Sequence, residues 1–492
     1  MMNRSILWLR RDLRLTDHPA LLAAIRDANY LLPVYIHAPE EEQPWQPGAA
    51  SNWWLHNSLI ALDRDLRKLG SGLIIAQGSS RLVLRKLALK HRCQRLFFTH
   101  LPEPASIQRD SRVCHELTKS GVSCHQFHSY QLLDGNPIRR LDGGSYRVFT
   151  PFWRALQKHG MLHRSTDSAP KSLPPLPDKI DSLEIDSLKL LPSNPWYREF
   201  HNHWQPGEAG AFKKLHGFMQ QTVNNYHTGR DRPDQSVTSR LSAHLHFGEI
   251  SPVQIANGLS ARLGGTPTYT DNEGANQYLR QLAWREFAID LLANNPHTDR
   301  LPFDSRFADY PWRSDKQAKN LLQQWQLGET GIPIVDAGMR ELWQTGWMHN
   351  RVRMIVASLL SKNMGIHWLQ GARWFWDTLV DADLANNSLG WQWSAGCGAD
   401  AAPYFRIFNP VRQAERFDPN GNYIKHWLPE LSTLPTKSLY SPWTAKTSEL
   451  FKAGVQLGKT YPKPSVDLQS SRREALKRWE SVKRRSNTAG TK

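Results

Sequence analysis

The amino-acid sequence predicts an N-terminal α/β domain with a Rossmann-like parallel sheet, followed by an all-α domain. Three observations support this prediction. Short β-rich runs alternate with amphipathic segments up to Leu133, a Pro- and Ser-rich segment follows, and helical spacing without strand patterns begins at about Pro206. We therefore divide the 492 residues into an α/β domain (1–135), a connector (136–205), a helical domain (206–462) and a basic C-terminal tail (463–492).

The predicted sheet contains five short apolar or β-rich runs. They are Ser5–Arg10, Leu31–His37, Gly72–Gln77, Arg95–His100 and Ser123–Phe127. Longer amphipathic segments such as Trp53–Leu69 and Arg109–Ser120 lie between them, and this alternation predicts a parallel sheet with helices on both faces. No G-x-G-x-x-G pattern follows the first run, so an ordinary NAD-binding site is not supported.

The remainder of the chain divides into a polar segment and a helical one. Residues 136–198 are rich in Pro, Ser, Asp and Lys, as in SAPKSLPPLPDKIDS, and we interpret them as a plain linker. Ser251 followed by Pro252 has the pattern of an N-cap with proline in the first helical turn. Apolar residues at helical spacing over Trp347–Lys362 predict a further helix. The basic, polar sequence after Pro462 predicts a frayed helix or a disordered tail.

The chain is strongly basic, with a net charge of +17 and a pI of about 9.7. This excess favours a polyanionic partner such as nucleic acid, although a solvated basic surface has the same composition. The mean hydropathy is −0.56 and no apolar run reaches about 18 residues, so we expect no membrane span. The start, MMNRSILWLRRDLRL, is interpreted as a first strand rather than as a signal peptide.

The four cysteines are Cys93, Cys114, Cys124 and Cys397, and no two have metal-ligand or redox-motif spacing. We therefore expect no metal site and no structural disulfide. This pattern fits a reduced, cytoplasmic compartment.

Polar residues are concentrated in one aromatic-rich stretch, DADLANNSLGWQW (Asp381–Trp393). On a helix, Asp383, Asn387 and Trp391 share one face because they are spaced i, i+4 and i+8. Such residues can be helix caps and core residues. Buried polar side chains nevertheless need partners, and a flat cofactor with polar edges would supply them.

Two further patterns indicate charged sites. Arg351 and Arg353 lie in an otherwise apolar segment, and a buried arginine requires a carboxylate. Asp381 is the candidate partner of Arg353, unless both arginines are exposed. The segment TSRLS (Thr238–Ser242) combines hydroxyls, backbone amides and an arginine, which suit a phosphate, although an ordinary helix start has the same composition.

Longer motifs resemble the photolyase–cryptochrome family over nearly the whole chain. They are LWLRRDLRLTDHPAL, TSRLSAHLHFGEISP, WREF, TGIPIVDAGMRELWQTGWMHNRVRMIVAS, DADLANNSLGWQWSAGCGADAAPYFRIFNP and FDPNGNYIKHWLPEL. The resemblance implies an antenna domain followed by an all-α FAD-binding catalytic domain. The cofactor-binding residues that it implies are Tyr226, Thr238, Ser239, Arg240, Leu241, Ser242, Trp347, Arg353, Asp381, Asp383 and Asn387.

The implied activity is light-driven DNA repair, in which photoexcited reduced FAD donates an electron to a cyclobutane pyrimidine dimer flipped out of the duplex. Asn387 matches the family position beside flavin N5. An amide there can donate to N5 without being a ready acid, which favours the reduced, anionic flavin. Trp391, Trp368 and Trp312 match the proximal, middle and distal members of a tryptophan chain that carries electrons to oxidised flavin; each can otherwise be a core residue.

The implied substrate-binding residues are Arg230, Gln281, Trp284, Asn350, Arg351, Met354 and Trp393. Trp284 and Trp393 match dimer-stacking residues and Arg230 a DNA-backbone contact. Met354 and Asn350 favour cyclobutane dimers, since (6-4) enzymes have a histidine on the corresponding helix. Gln281 stands where cyclobutane-dimer enzymes usually carry glutamate, and glutamine is a feature of (6-4) enzymes.

Three alternatives therefore stay open. They are a (6-4) photoproduct photolyase, a cryptochrome-type blue-light photoreceptor with little repair, and a basic helical nucleic-acid-binding protein without flavin. The resemblance further implies an antenna pigment, methenyltetrahydrofolate or deazaflavin, with contacts around His100–Asp110. We expect UV-damaged DNA as the partner and a monomer as the working form.

Overall fold

The computed structural model describes residues 3–133, 135, 137–159, 165–263, 272–401 and 405–489. Residue 136, where the connector was predicted to begin, and residues 490–492 of the predicted tail lie outside this range. Within it, a five-stranded α/β domain is followed by a helical domain, so the predicted fold class is confirmed.

The sheet is parallel throughout. Its strands are β1 (Arg4–Leu9), β2 (Tyr30–His37), β3 (Ile74–Gln77), β4 (Arg95–Thr99) and β5 (Ser123–Phe127), in the order β3-β2-β1-β4-β5. All five predicted runs are strands, with ends shifted by at most two residues. Strand β1 lies at the centre, where Leu7 is opposite Pro33 of β2 and Phe97 of β4.

Helices cover both faces of the sheet. Those in the first 159 residues are α1 (Pro19–Ile25), α2 (Ala49–Lys68), α3 (Ser80–His91), α4 (Pro104–Lys119) and α5 (Phe149–Lys158). Alternate residues of β1 face opposite ways, as in any strand. Leu7 therefore packs in the core that contains Trp54 of α2, and Trp8 in the core that contains Leu84 of α3 and Val113 of α4.

The plain-linker interpretation of residues 136–198 is wrong for α5. Phe149, Phe152 and Leu156 are fully buried and pack against Phe287 of the helical domain. The Pro- and Ser-rich composition of the surrounding segment concealed the apolar spacing of this short helix. The connector therefore contributes to the core of the second domain.

The described chain after residue 159 contains sixteen α-helices. They are α6 (Phe200–His203), α7 (Glu208–Gly217), α8 (Tyr226–Gly229), α9 (Ser242–His246), α10 (Pro252–Leu263), α11 (Glu273–Asn294), α12 (Lys316–Leu327), α13 (Pro333–Thr345), α14 (Asn350–Ser358), α15 (Trp368–Thr378), α16 (Leu384–Ala395), α17 (Pro410–Phe417), α18 (Asn422–Trp427), α19 (Thr436–Leu439), α20 (Thr447–Lys452) and α21 (Leu468–Ala489). No described helix of the chain is long and apolar enough to cross a membrane.

Helix boundaries follow capping chemistry. Ser251 caps α10 as predicted: its Oγ accepts from the Gln254 N–H at 3.0 Å, and Gln254 Oε1 accepts from the Ser251 N–H at 2.8 Å. The helix predicted over Trp347–Lys362 begins at Asn350 and widens into a π turn over Leu359–Asn363. The tail after Pro462 forms α21, the helical one of its two predicted states.

Candidate cofactor and substrate site

Asp383, one of the predicted cofactor residues, is the N-cap of α16. Its Oδ1 accepts from the Asn386 N–H at 2.9 Å, and its Oδ2 accepts from the Tyr130 hydroxyl at 2.9 Å. The helix begins at Leu384, so Asp383, Asn387 and Trp391 follow one another along one face, as the spacing predicted.

Charge around Asp383 keeps its carboxyl ionised. Burial alone would raise the pKa of Asp383, but contact with His246 and the positive charge of Arg285 outweigh burial and hold this pKa well below its usual range. His246 Nδ1 lies 3.6 Å from Asp383 Oδ2, and burial together with the charge of Arg11 lowers the His246 pKa. The arrangement is an anionic acceptor beside a neutral imidazole.

The predicted partner of Arg353 is confirmed. Its Nη2 lies 3.0 and 2.9 Å from the two carboxylate oxygens of Asp381, and its Nε donates to the Met348 carbonyl at 2.7 Å. The Asp381 side chain is only 4 % exposed. This pair ties α14 to the turn before α16, which carries Asp383.

The TSRLS segment forms a tight turn ahead of α9. Arg240 has a φ of +52°, in the left-handed region that a non-glycine residue rarely adopts. Ser239 Oγ accepts from the Tyr278 hydroxyl at 2.8 Å and from the Leu241 N–H at 3.3 Å, which leaves its own O–H available as a donor. Ser242 is the first residue of α9, and the buried Tyr226 ring packs edge-on against Tyr278 at 5.2 Å.

A cavity of about 350 Å³, called here the helical-domain cavity, is lined by three predicted cofactor residues. They are Thr238, Arg240 and Trp347. The Arg240 guanidinium lies over the Trp347 ring with its Cζ 4.4 Å from the centroid, a cation–π contact. A volume of this size is within the range of small-molecule pockets.

The same cavity is lined by Glu341, His349 and Tyr423, which the sequence analysis did not single out. Glu341 accepts from the Tyr423 hydroxyl at 2.7 Å, and burial raises the pKa of Glu341 to about 7. His349 is 2 % exposed, caps α14 through Nδ1, and has no hydrogen-bond partner on Nε2. A buried polar atom without a partner next to a cavity is what a bound polar ligand would satisfy.

The three tryptophans of the predicted electron chain lie on or next to α15, without a direct ring contact between them among the described residues. Trp391 packs against Gly371 of α15, where any added Cβ would clash with the indole, and α15 begins at Trp368. The His367 ring lies between Trp368 and Trp312, with centroids 5.6 and 5.1 Å away. Trp312 also contacts Tyr310 at 4.3 Å. The roles of the three tryptophans remain predictions.

Asn387 is half-buried on the same face as Trp391. Its Nδ2 donates to the Ala372 carbonyl at 3.0 Å, which fixes the amide against α15. A primary amide has a second N–H and a carbonyl oxygen, and both stay available to a ligand.

Two predicted substrate arginines share one carboxylate. Asp231 Oδ1 lies 2.9 Å from Arg351 Nη2 and 3.8 Å from Arg230 Nε. The Arg351 guanidinium also lies over the Phe417 ring at 4.2 Å, and its Nε has no hydrogen-bond partner. Two cations against one anion leave a net positive charge at this edge of the site.

The polar and apolar lesion candidates lie on α14 and α11. Asn350 Nδ2 lies 3.8 Å from Met354 Sδ, one helical turn away. Gln281, on α11, is half-buried, and its Nε2 donates to the Gln277 carbonyl at 3.1 Å. Its Oε1 remains a possible acceptor.

The two predicted stacking tryptophans are half-buried. Trp284 packs face to face on Phe149, with ring centroids 3.8 Å apart and planes 8° from parallel. Trp393 contacts Phe408 at 6.4 Å, and the Arg406 guanidinium lies 5.8 Å from its ring. Phe149 and Arg406 were not singled out by the sequence analysis, although Arg406 lies in the FRIFNP part of a quoted motif.

A second cavity, the N-terminal cavity, lies at the carboxyl ends of β1 and β2. Its lining includes Arg10, Arg11, Tyr35, Glu42 and, from the predicted antenna segment His100–Asp110, Leu101 and Arg109. Its volume is about 50 Å³, far below that of the helical-domain cavity.

The fold is an α/β domain followed by a helical domain that contains a cavity of about 350 Å³, and comparison with known proteins identifies the family. A family model for the FAD binding domain of DNA photolyase matches residues 278–481, and a DNA photolyase model matches residues 5–176. Deoxyribodipyrimidine photo-lyase of Agrobacterium fabrum is 41% identical over 480 residues, covering 97% of this chain and 98% of that protein. Cryptochrome-1 of Arabidopsis thaliana is 36% identical, covering 95% of this chain and 69% of that protein.

Among solved structures, a bacterial class III photolyase from Agrobacterium tumefaciens superposes with a TM-score of 0.93 at 40% identity and covers 98% of both chains. The chain therefore belongs to the photolyase–cryptochrome family, as its motifs predicted.

Proposed function

We propose that the protein is a light-driven DNA-repair lyase that splits cyclobutane pyrimidine dimers and uses FAD as its cofactor. When bound and reduced, FAD supplies, after absorbing light, the electron that cleaves the dimer. The observation that carries the proposal is the double role of α14. Arg353 of this helix bonds Asp381 of the cofactor set, while Asn350 and Met354 of the same helix form a pair among the lesion candidates.

The residues of the cofactor set have distinct roles in this proposal. Asp383, whose pKa is held well below its usual range, and Asp381, which is fixed by its contact with Arg353, would orient the flavin by accepting hydrogen bonds. Arg240 and the hydroxyls of the TSRLS turn would hold the phosphates of FAD. Asn387 donates a hydrogen bond without releasing a proton, which preserves the anionic, reduced state of the flavin.

DNA binding rests on charge and on flat side chains. Arg230 and Arg351, which share Asp231, contact the backbone and the lesion strand, and the net charge of +17 supplies attraction that is independent of sequence. Trp284 and Trp393 stack on the flipped dimer, whose extrusion costs less than that of an intact base pair.

Gln281 and the similarity to Cryptochrome-1 favour second candidates. Glutamine at this position keeps a hydrogen-bond acceptor but lacks the acidity of a glutamate, as in the (6-4) enzymes. A blue-light photoreceptor with little repair would use the same fold and FAD. We retain cyclobutane dimers as the substrate because Asn350 and Met354 are both present and in contact.

The experiment is a repair assay with two lesions. The purified, chemically reduced protein is illuminated with blue or near-UV light over one duplex with a cyclobutane thymine dimer and one with a (6-4) photoproduct. We expect restored thymines from the first duplex only. Repair of the second alone would establish the (6-4) enzyme, and repair of neither by a flavin-loaded, photoreducible protein would establish the photoreceptor.

The antenna pigment belongs to the same proposal. Pockets for small molecules usually enclose 300–1,000 Å³, whereas the N-terminal cavity encloses about 50 Å³. We therefore propose that an antenna of the methenyltetrahydrofolate or deazaflavin type binds outside this cavity. A monomer that acts on UV-damaged DNA in the cytoplasm completes the proposal.

A further inference from the structure

We propose that Phe149 is a positioning residue for lesion recognition, which fixes the plane of the Trp284 indole. This inference rests on the proposed function, because Trp284 is assigned there to the flipped dimer. Phe149 lies in the segment between the domains, which the sequence analysis interpreted as a plain linker, and no motif drew attention to it. The structure assigns the role through a single ring contact.

The contact between Phe149 and Trp284 is a nearly cofacial stack. Their ring centroids are 3.8 Å apart and their planes differ by 8°. Phe149 covers one face of an indole that remains half-buried, so the opposite face is the one left to a base. Aromatic pairs add a favourable interaction beyond the burial of their area, and so hold each other's orientation.

Phe149 is itself fixed by its surroundings. It is 1 % exposed, begins α5, and meets the edge of Phe287 at 5.8 Å and 75°. Trp284 meets the same Phe287 ring at 5.6 Å and 80°. One indole face and one edge are therefore held by two buried phenylalanines, which restricts the rotation of the Trp284 side chain about its χ angles.

A fixed indole matters because a flipped lesion loses stacking in the duplex and must regain it in the protein. Stacking of a base on an aromatic side chain is worth about 1–3 kcal/mol. A mobile indole must be ordered at the moment of binding, and the free-energy cost of ordering a side chain reduces the affinity. Orientation by Phe149 removes that cost before DNA arrives, so its loss affects lesion binding and spares binding to intact DNA.

Phe152 provides a matched control on the same helix. It is also 1 % exposed and belongs to the same core cluster, where it contacts Phe287 at 5.3 Å, but it makes no ring contact with Trp284. Replacing either phenylalanine by leucine removes a similar buried ring and carries a similar stability cost. Only one of the two replacements removes the stack.

The test measures dissociation constants in the dark for the flavin-loaded protein on two duplexes, one with a cyclobutane thymine dimer and one undamaged. Its readout is the discrimination ratio, that is, the dissociation constant for the undamaged duplex divided by the constant for the duplex with the dimer. We expect Phe149→Leu to reduce this ratio by about 5- to 10-fold, in line with the strength of an aromatic pair, and Phe152→Leu to change it by less than about twofold. Flavin content and thermal midpoint report general damage. If Phe149→Leu is unstable, Phe149→Met replaces it, because methionine keeps most of the volume.

A double substitution separates positioning from independent contributions. Trp284→Leu should reduce the ratio further than Phe149→Leu, and Phe149→Leu combined with Trp284→Leu should match Trp284→Leu alone, because the indole to be oriented is then absent. Multiplied effects in the double variant, equal effects of Phe149→Leu and Phe152→Leu, or a ratio that rises in Phe149→Leu would each overturn the inference. Absence of discrimination in the unmodified protein would overturn the proposed function, and this inference with it.

Discussion

The N-terminal cavity and the helical-domain cavity are built from the same kinds of side chain, yet one encloses about 50 Å³ and the other about 350 Å³. Arginine, acidic and tryptophan side chains line both, with Arg10, Arg11 and Arg109 in the first and Arg240 in the second. The difference is in how the arginines are used. In the first cavity Arg10, Arg11 and Arg109 form ion pairs, whereas in the second Arg240 stacks on the Trp347 ring.

Three arginines that line the N-terminal cavity, Arg10, Arg11 and Arg109, form ion pairs with acidic residues beside it. Arg11 bonds Glu103, Arg10 Nη1 lies 2.8 Å from Asp110 Oδ1, and Arg109 Nε lies 3.0 Å from the same oxygen. Arg10 also lies over the Trp8 ring at 4.1 Å. The remaining space holds about one or two water molecules.

In the helical-domain cavity the charged groups leave the centre open. Arg240 stacks on Trp347, Glu341 is held by Tyr423, and His349 Nε2 has no partner. The comparison teaches that a cluster of arginines, acids and aromatic rings does not identify a ligand site by itself. Buried atoms without a hydrogen-bond partner line both cavities, Arg10 Nε and Arg109 Nη2 in the first and His349 Nε2 in the second, so the property that distinguishes the two cavities is their free volume.

Among the substitutions that test this comparison of the two cavities, the largest effect is expected for Asp381→Asn. The substitution leaves the Arg353 guanidinium with a neutral partner in a mostly buried place, and breaking a buried pair costs about 3 kcal/mol. We expect a lower urea midpoint and purified protein with less than half the flavin absorbance per chain of the unmodified protein.

The control for that prediction is Asp63→Asn. Asp63 pairs with Arg67 at 2.7 Å, but Arg67 is 68 % exposed, and such surface pairs contribute about 0–1 kcal/mol. Equal losses of flavin in the two variants would show that the Arg353–Asp381 pair has no special relation to the cofactor cavity.

A smaller effect, confined to one function, is expected for Trp391→Phe. Phenylalanine is much harder to oxidise than tryptophan, so photoreduction of oxidised flavin should slow by about tenfold or more, while repair by pre-reduced protein continues. Time-resolved flavin absorbance under blue light measures the first quantity. Trp8→Phe, which changes an equally buried indole at the N-terminal cavity, should leave the photoreduction rate unchanged. A normal rate in Trp391→Phe would remove this residue from the electron chain.

The parts of the molecule that the sequence predicted are those governed by local rules. The alternation of short β-rich runs with amphipathic segments predicted all five strands. The cost of burying an unpaired cation predicted the pair between Arg353 and Asp381, which are 28 positions apart. Helix periodicity placed Asp383, Asn387 and Trp391 on one face. The family resemblance supplied the roles of these residues, which spacing alone leaves open.

The contacts that the sequence did not predict join distant segments through tertiary packing. Tyr130 reaches Asp383 across 253 positions, and Tyr423 reaches Glu341 across 82. Tyr130 lies in none of the quoted motifs, and Tyr423 lies in FDPNGNYIKHWLPEL, where nothing in the spacing distinguishes it from a core residue. Phe149 was missed because a plain-linker composition hid a short amphipathic helix, and the small volume of the N-terminal cavity depends on side-chain placement that no motif encodes.

The smallest effect is expected for Arg109→Leu in the N-terminal cavity. Arg109 lies 5.0 Å over the Trp8 ring and bonds Asp110, but Asp110 keeps its 2.8 Å contact with Arg10 after the substitution. No charge is left without a partner, so the loss of stability should be about 1 kcal/mol. Flavin content, photoreduction and repair should all match the unmodified protein.

The wavelength dependence of repair makes this last variant decisive for the N-terminal cavity. The measured quantity is the rate of repair at near-UV wavelengths divided by the rate at the flavin maximum. If the cavity is closed by its own ion pairs and holds only water, this ratio is the same in Arg109→Leu as in the unmodified protein. A pigment seated there would lose a direct contact, and the ratio would fall together with the pigment's absorbance. Such a fall would mean that Arg109 moves aside for a ligand, and that free volume in this structure understates what the N-terminal cavity can accept.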